Sequence, residues 1–224
     1  MIILGLDTST KTAAVALFSA APFAILSTHE KEVTAVSDDL LSLVQAALAD
    51  ASLQLADLGA IVCGAGPGSF TGLRVGLSTA KALAYALEKP LGLLSSLALL
   101  ALRATEGALV CATLDAHQSH VYAGLFHIKD GLPRPVGEER SISPDRLKAE
   151  LATQGAFVVG SGALRYPELA QADTLIDDSP GPRAVDVAKL GADLAVNQRW
   201  EENLLCAAPR YIRASAPEEK RNKT

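Results

Sequence analysis

A chain of 224 residues is long for one domain and comfortable for two small ones, and it can bury a real core. Hydrophobic residues make up 49% of it and aromatics only 4%, so packing rests on Ala, Leu and Val, which favours α/β layers over an aromatic-rich barrel. The net charge of −5 offers no general attraction to a phosphate backbone and argues against stand-alone nucleic-acid binding.

Ile2 to Leu6 is a continuous apolar run ending at Asp7, the pattern of a central strand with a functional loop at its end. Thr8 to Lys11 reads as the turn, and Thr12–Phe18 and Phe23–Thr28 as two further strands. From Val36 to Ala51 apolar residues recur at helical spacing, with Ser37 and Asp38 placed to cap the start. A strand at Ala60–Cys63 follows, then a glycine-rich turn, then a helix over about Leu73–Leu87. Leu91–Leu94 reads as a strand, and Ser95 or Ser96 caps a helix running to about Thr105. In the second half, Gly131–Gly137 reads as a surface loop and Ser143-Pro-Asp145 as the start of a short helix. Ala156–Val159 reads as a strand, Asp178–Pro182 as a loop and Ala184–Val196 as a helix, with a disordered tail from Ala214.

A weak repeat divides the chain. Leu6, Asp7, Leu17 and Phe18 coincide with Leu114, Asp115, Leu125 and Phe126 at one ungapped offset of 108 residues, near half the chain length. Two lobes are expected, 1–107 and 108–213, with 214–224 as the tail. Cys63, Cys111 and Cys206 are far apart without CxxC spacing and read as buried thiols of a reducing compartment. Asp7 arrives before any apolar stretch of useful length, and the longest apolar run, Leu91–Leu102, has only 12 residues. A cytoplasmic protein without a membrane segment is expected.

The most informative stretch is Gly66-Pro-Gly-Ser-Phe-Thr-Gly-Leu-Arg74. Its glycines and proline demand special backbone torsions, with Ser69, Thr71 and Arg74 beside them. Two readings fit: a turn presenting N–H groups to an anion, or a tight strand-to-helix turn with no ligand. It is not a P-loop, since Leu73 and Arg74 follow Gly72 where Lys-Ser/Thr is required. Asp7-Thr-Ser-Thr10 allows a phosphate-facing or a purely structural turn, as does Asp115. His117 and His120 lack metal-ligand spacing and read as exposed; no GxSxG elbow supports a nucleophile. Along the second helix Gly72, Gly76, Ala80 and Ala84 form a small-residue ridge. It packs either on the protein's own sheet or against another chain, with the helix at 36–51 as companion.

These residues together resemble the TsaB (YeaZ) family of bacterial tRNA threonylcarbamoyladenosine biosynthesis proteins. The likeness runs through Ile3-Leu-Gly-Leu-Asp-Thr-Ser-Thr10, Gly64 to Gly76, Leu114-Asp-Ala116 with Val121-Tyr122, and Pro209-Arg-Tyr-Ile-Arg213. It implies an α/β, two-lobed actin-like ATPase (ASKHA, ribonuclease H-like) fold with a mixed sheet and helices in each lobe. It also implies a non-catalytic partner of TsaD, working with TsaE on adenosine 37 of tRNA, touching tRNA only through the complex and forming a homodimer in isolation. No catalytic residue, metal or intrinsic cofactor is then expected. Asp7, Thr8, Ser9, Gly66, Gly68, Ser69, Thr71 and Arg74 are the nucleotide or anion candidates, with ADP or ATP at the interface with TsaD. Leu40, Leu41, Val44, Leu48, Gly72, Leu73, Gly76, Leu77, Ala80 and Ala84 are the expected interface. The sequence departs from the family's pattern at Asp115-Ala-His-Gln-Ser-His120 and at Ala35-Val-Ser-Asp38. The alternative class is a small-molecule phosphotransferase of the actin-like superfamily, using Asp7 to place Mg²⁺.

Overall fold

The computed structural model describes residues 1–32, 36–169 and 181–212. Strands β1 (Ile2–Asp7), β2 (Thr12–Ala20) and β3 (Phe23–Glu32) form an antiparallel meander. Helix α1 (Val36–Asp50), β4 (Leu58–Gly64), α2 (Phe70–Leu87) and β5 (Leu91–Leu94) follow, and β4 and β5 add in parallel beyond β1. The first sheet therefore has the order β3-β2-β1-β4-β5. Helix α3 (Ser96–Ala101) leads into β6 (Leu109–Asp115), β7 (Val121–Lys129), β8 (Leu132–Pro135) and β9 (Arg140–Ile142). Helix α4 (Pro144–Leu151), β10 (Phe157–Val159) and α5 (Ser161–Arg165) complete the second lobe. Its sheet runs β10-β6-β7-β8, with β9 also paired to β7. This is a shortened copy of the first.

The apolar run of β1 is continuous because both of its faces are covered. Leu4 and Leu6 pack with Leu40, Val44, Leu77 and Ala80 from α1 and α2. Ile3 on the other face packs with Val187 and Ala188 of a last helix, α6 (Ala184–Val196). A strand buried on both sides needs no polar alternation. Helix α2 begins at Phe70, three residues before the apolar periodicity does, because Ser69 caps it by accepting from Gly72 N at 3.2 Å.

The structure corrects four expectations. The domain boundary is wrong for α6: this helix follows the second lobe in sequence yet lies on the first sheet, so the first lobe is built from two chain segments. Gly191 permits the close approach, since a Cβ there would sit 2.7 Å from Phe18 Cζ. Residues 132–135 form β8 rather than a loop, because Pro133 and Pro135 sit on an outer strand that tolerates a missing N–H. The repeat is displaced by one residue on the return strand: Asp7 pairs with Ala14 but Asp115 with Val121, so the second turn is one residue shorter. Leu17 and Leu125 are thus not equivalent, although Asp7 and Asp115 are. Finally, Cys63 and Cys111 are buried but Cys206 is exposed. The expected tail, 214–224, lies outside the described residues.

Packing of α6 on the first sheet has a direct consequence. A fragment of residues 1–107 leaves the Ile3, Phe18 and Val62 face bare, each such side chain losing about 1.5–3 kcal/mol of burial. We expect that fragment to lose a dispersed amide NMR spectrum and to regain it when a segment spanning α6 is co-expressed; a well-folded 1–107 fragment would contradict this packing.

Candidate functional site

The start of α2 is seated on the turn after β1, backbone against backbone. Ser69 N donates to Ser9 O at 2.7 Å, and Thr8 Oγ1 donates to Gly72 O at 2.8 Å. A Cβ on Gly68 would lie 2.3 Å from Ser9 O, on Gly72 2.0 Å from Thr8 O, and on Gly76 2.1 Å from Thr8 Oγ1. Any side chain at these positions would part helix from turn, so the glycines are dictated by contact. Gly66 is set apart by its torsion, φ +106°, which L side chains rarely adopt.

The seat encloses Asp7, Thr8 and Ser9, all buried. Asp7 Oδ1 accepts from Ser9 N at 2.9 Å and from Ser9 Oγ at 2.7 Å, while Oδ2 has no hydrogen-bond partner among the described residues. Burial in this apolar interior, with a smaller contribution from nearby Asp186, pushes the Asp7 carboxyl up to about 6 against the pull of the Ser9 bonds. The Ser96 hydroxyl, whose oxygen also lacks a hydrogen-bond partner, lies close enough to draw it down. Asp186 itself is buried and held by Arg183 Nε at 3.2 Å and Arg103 Nε at 3.5 Å.

Sequence reasoning missed Ser96, Arg103, Arg183 and Asp186. Ser95 takes the capping role at α3, accepting from Ala98 N at 3.1 Å, and this frees Ser96 to face inward. The only available signal was the doubled serine itself.

Of the predicted phosphate groups, Asp7, Thr8, Ser9 and Ser69 are engaged within the seat, while Thr71 and Arg74 lie at the surface. Ser69 caps its own helix, and the Arg74 guanidinium lies 3.7 Å over the Phe70 ring and donates to Tyr211 Oη at 3.0 Å. Thr71 points outward. The chain's own residues therefore do not form an open cradle for a nucleotide phosphate. Asp115, the second-lobe counterpart, is partly exposed and accepts from His117 N at 2.9 Å. His117 is exposed and His120 half-buried; among the described residues no cluster could hold a metal.

The ridge of Gly72, Gly76, Ala80 and Ala84 faces inward, as do Leu40, Val44, Leu48, Leu73 and Leu77; all are buried within this chain. This corrects the expectation that the ridge itself meets a partner: it is turned onto the Thr8 turn and the sheet. Of the ten expected interface residues only Leu41 is exposed, at 51%. The outer face instead presents Leu41, Tyr85 at 76% and, on the segment strapped across α2 by Lys81, Leu205 at 81%.

Two mixed sheets, each headed by a strand ending in Asp and a hairpin, define a two-lobed actin-like fold of the ribonuclease H type. A family model described as TsaD, tRNA N6-adenosine threonylcarbamoyltransferase, matches residues 31–216. The TsaB of Haemophilus influenzae, a tRNA threonylcarbamoyladenosine biosynthesis protein, is 29% identical over 95% of this chain and 94% of its own. The TsaB of Escherichia coli is 31% identical over 79% of this chain and 78% of its own. A solved Pseudomonas aeruginosa structure, described as similar to the peptidase YeaZ, matches at 32% identity and TM-score 0.83, covering 95% of this chain and 99% of that one. The chain belongs to the TsaB (YeaZ) family.

The Asp7 carboxyl makes stability fall with pH. Its unfolded value is 3.8 and its folded value about 6, so the folded state keeps the proton between them. The stabilisation is full below pH 3.8 and lost as pH rises through 6, on the order of 3 kcal/mol in all. Asp7→Asn keeps an acceptor for Ser9 and adds an N–H for Ser96. Urea denaturation from pH 4 to 8 should show the variant's stability declining less steeply than wild type's; equal slopes would contradict the buried-carboxyl assignment.

Proposed function

We propose that this chain is a non-catalytic subunit that docks on TsaD, the transferase that works with TsaE to place a threonylcarbamoyl group on N6 of adenosine 37 in tRNA. The observation carrying this reading is the match, over nearly its whole length, to a protein named for threonylcarbamoyladenosine biosynthesis. The family model named for the transferase supports a partner of the same ancestry. Physical support comes from the outer side of α1 and α2, where Leu41 and Tyr85 stand exposed over a layer whose inner side is full. Such side chains gain most by being covered, and TsaD is the proposed cover; a second copy takes its place when TsaD is absent. The subunit's work is positional: it braces the transferase and performs no bond-making of its own. Transfer RNA is reached through the complex, which suits a chain of net charge −5. ADP or ATP is assigned only to the shared interface, where TsaD supplies the phosphate-holding groups that Ser69 and Arg74 do not leave open.

The double change Leu41→Glu with Tyr85→Glu touches only exposed positions, so the melting temperature of the subunit should stay close to wild type. Capture of TsaD should weaken by at least about tenfold, and modification of adenosine 37 by the reconstituted proteins should fall with it. Undiminished capture by the folded variant would overturn the docking face.

A further inference from the structure

A groove of about 510 Å³ opens between the first sheet with α6 and the second sheet, and none of Asp7, Thr8, Ser9 or the α2 residues lines it. Apolar side chains form much of its wall, with Leu94 from the first sheet, Leu194 from α6 and Phe126 and Pro133 from the second sheet, and Glu138 and Arg199 also line it. At one end the groove turns polar, where Glu139, Ser95 and Arg210 meet. Ser95 Oγ donates to Glu139 Oε1. The other carboxylate oxygen, Oε2, faces Arg210 Nη1 at 3.9 Å, too far for a hydrogen bond. The Glu139 side chain is only 16% exposed, and a carboxylate so placed can accept more bonds than one hydroxyl supplies. Burial raises its proton affinity, and the Ser95 bond and Arg210 pull it back. The Arg210 backbone is anchored by its N–H to Ala65 O at 2.7 Å, while its guanidinium is 56% exposed and able to swing.

Two opposite charges held apart by a gap, at the end of an apolar trough, are complementary to a zwitterion with an apolar body. We propose that this groove binds a free α-amino acid with a large apolar side chain. The α-ammonium donates to Glu139, the α-carboxylate accepts from Arg210, and the side chain lies along Phe126 and Leu194. One loose ion pair is replaced by two hydrogen-bonded ones, with no charge left unpaired. The volume lies in the range of small-molecule sites, which combine apolar walls with a few placed polar groups. Arg199, also on the groove wall, is already engaged by Asp193 and leaves Arg210 as the carboxylate's partner. The site needs no partner protein, so it stands or falls apart from the docking reading.

The test is titration of the ¹⁵N-labelled full chain, without TsaD, by L-phenylalanine, followed by amide chemical shifts. Saturable shifts are expected at Ser95, Phe126 and Glu139. Phenethylamine, lacking the carboxylate, and 3-phenylpropionate, lacking the ammonium, should each bind at least about tenfold more weakly. Glu139→Gln retains an acceptor for Ser95 and should weaken L-phenylalanine by a similar factor, as should Arg210→Gln. No saturable shift in millimolar L-phenylalanine, equal binding of either single-charge analogue, or unchanged binding by Glu139→Gln would each overturn the proposal.

Discussion

The hydrogen bond from Ser69 N to Ser9 O, together with that from Thr8 Oγ1 to Gly72 O, fixes the position of α2 against β1. Contact at this range is open only to a helix start without side chains, which is why glycine occupies 68, 72 and 76. Glycine in a helix interior costs about 1 kcal/mol relative to alanine, and the seat offsets that cost. Burial of Asp7 follows from it, because the helix start closes over the turn in which that carboxylate lies. The outward direction of Tyr85 follows as well, since the ridge takes the opposite side of the same helix.

The second lobe makes a related close contact between helix start and strand, on β6 itself rather than on the turn after it. Gly162 at the start of α5 would place a Cβ 2.7 Å from Thr113 Cβ, and Ala163 N donates to Thr113 Oγ1 at 3.0 Å. Yet α5 has five residues where α2 has 18, so among the described residues no long outer helix follows this contact in the second lobe. The first lobe, closed on its far face by α6, is the one that offers a broad helical layer. That asymmetry is where the proposed docking function resides: one copy of the motif has been extended into a surface, and the other kept short.

Much of this was legible in the residues. The unbroken apolar run of β1, the helical periodicity of α1 and α6, and the glycine-rich entry to α2 each state a physical requirement that the fold meets. The small-residue ridge was legible as a close contact but not in its direction. A four-residue period says which side chains share a face and is silent on what that face meets. Residues 132–135 were obscured because Pro133 and Pro135 suppress the strand signal, and only pairing with β7 restores it. The surroundings of Asp7 were hidden for another reason: Ser96 and Asp186 reach it from distant parts of the chain, and nothing local marks them. The groove end at Glu139 and Arg210 is of the same kind, assembled by the fold from two unremarkable charges.

The seat itself is tested most directly by the stability of Gly72→Ala in urea. On helix propensity alone alanine should stabilise by about 1 kcal/mol. The account predicts instead a net loss of about 1–3 kcal/mol, because the new methyl would lie 2.0 Å from Thr8 O, a backbone atom that cannot turn aside. A variant as stable as wild type, or more so, would contradict it.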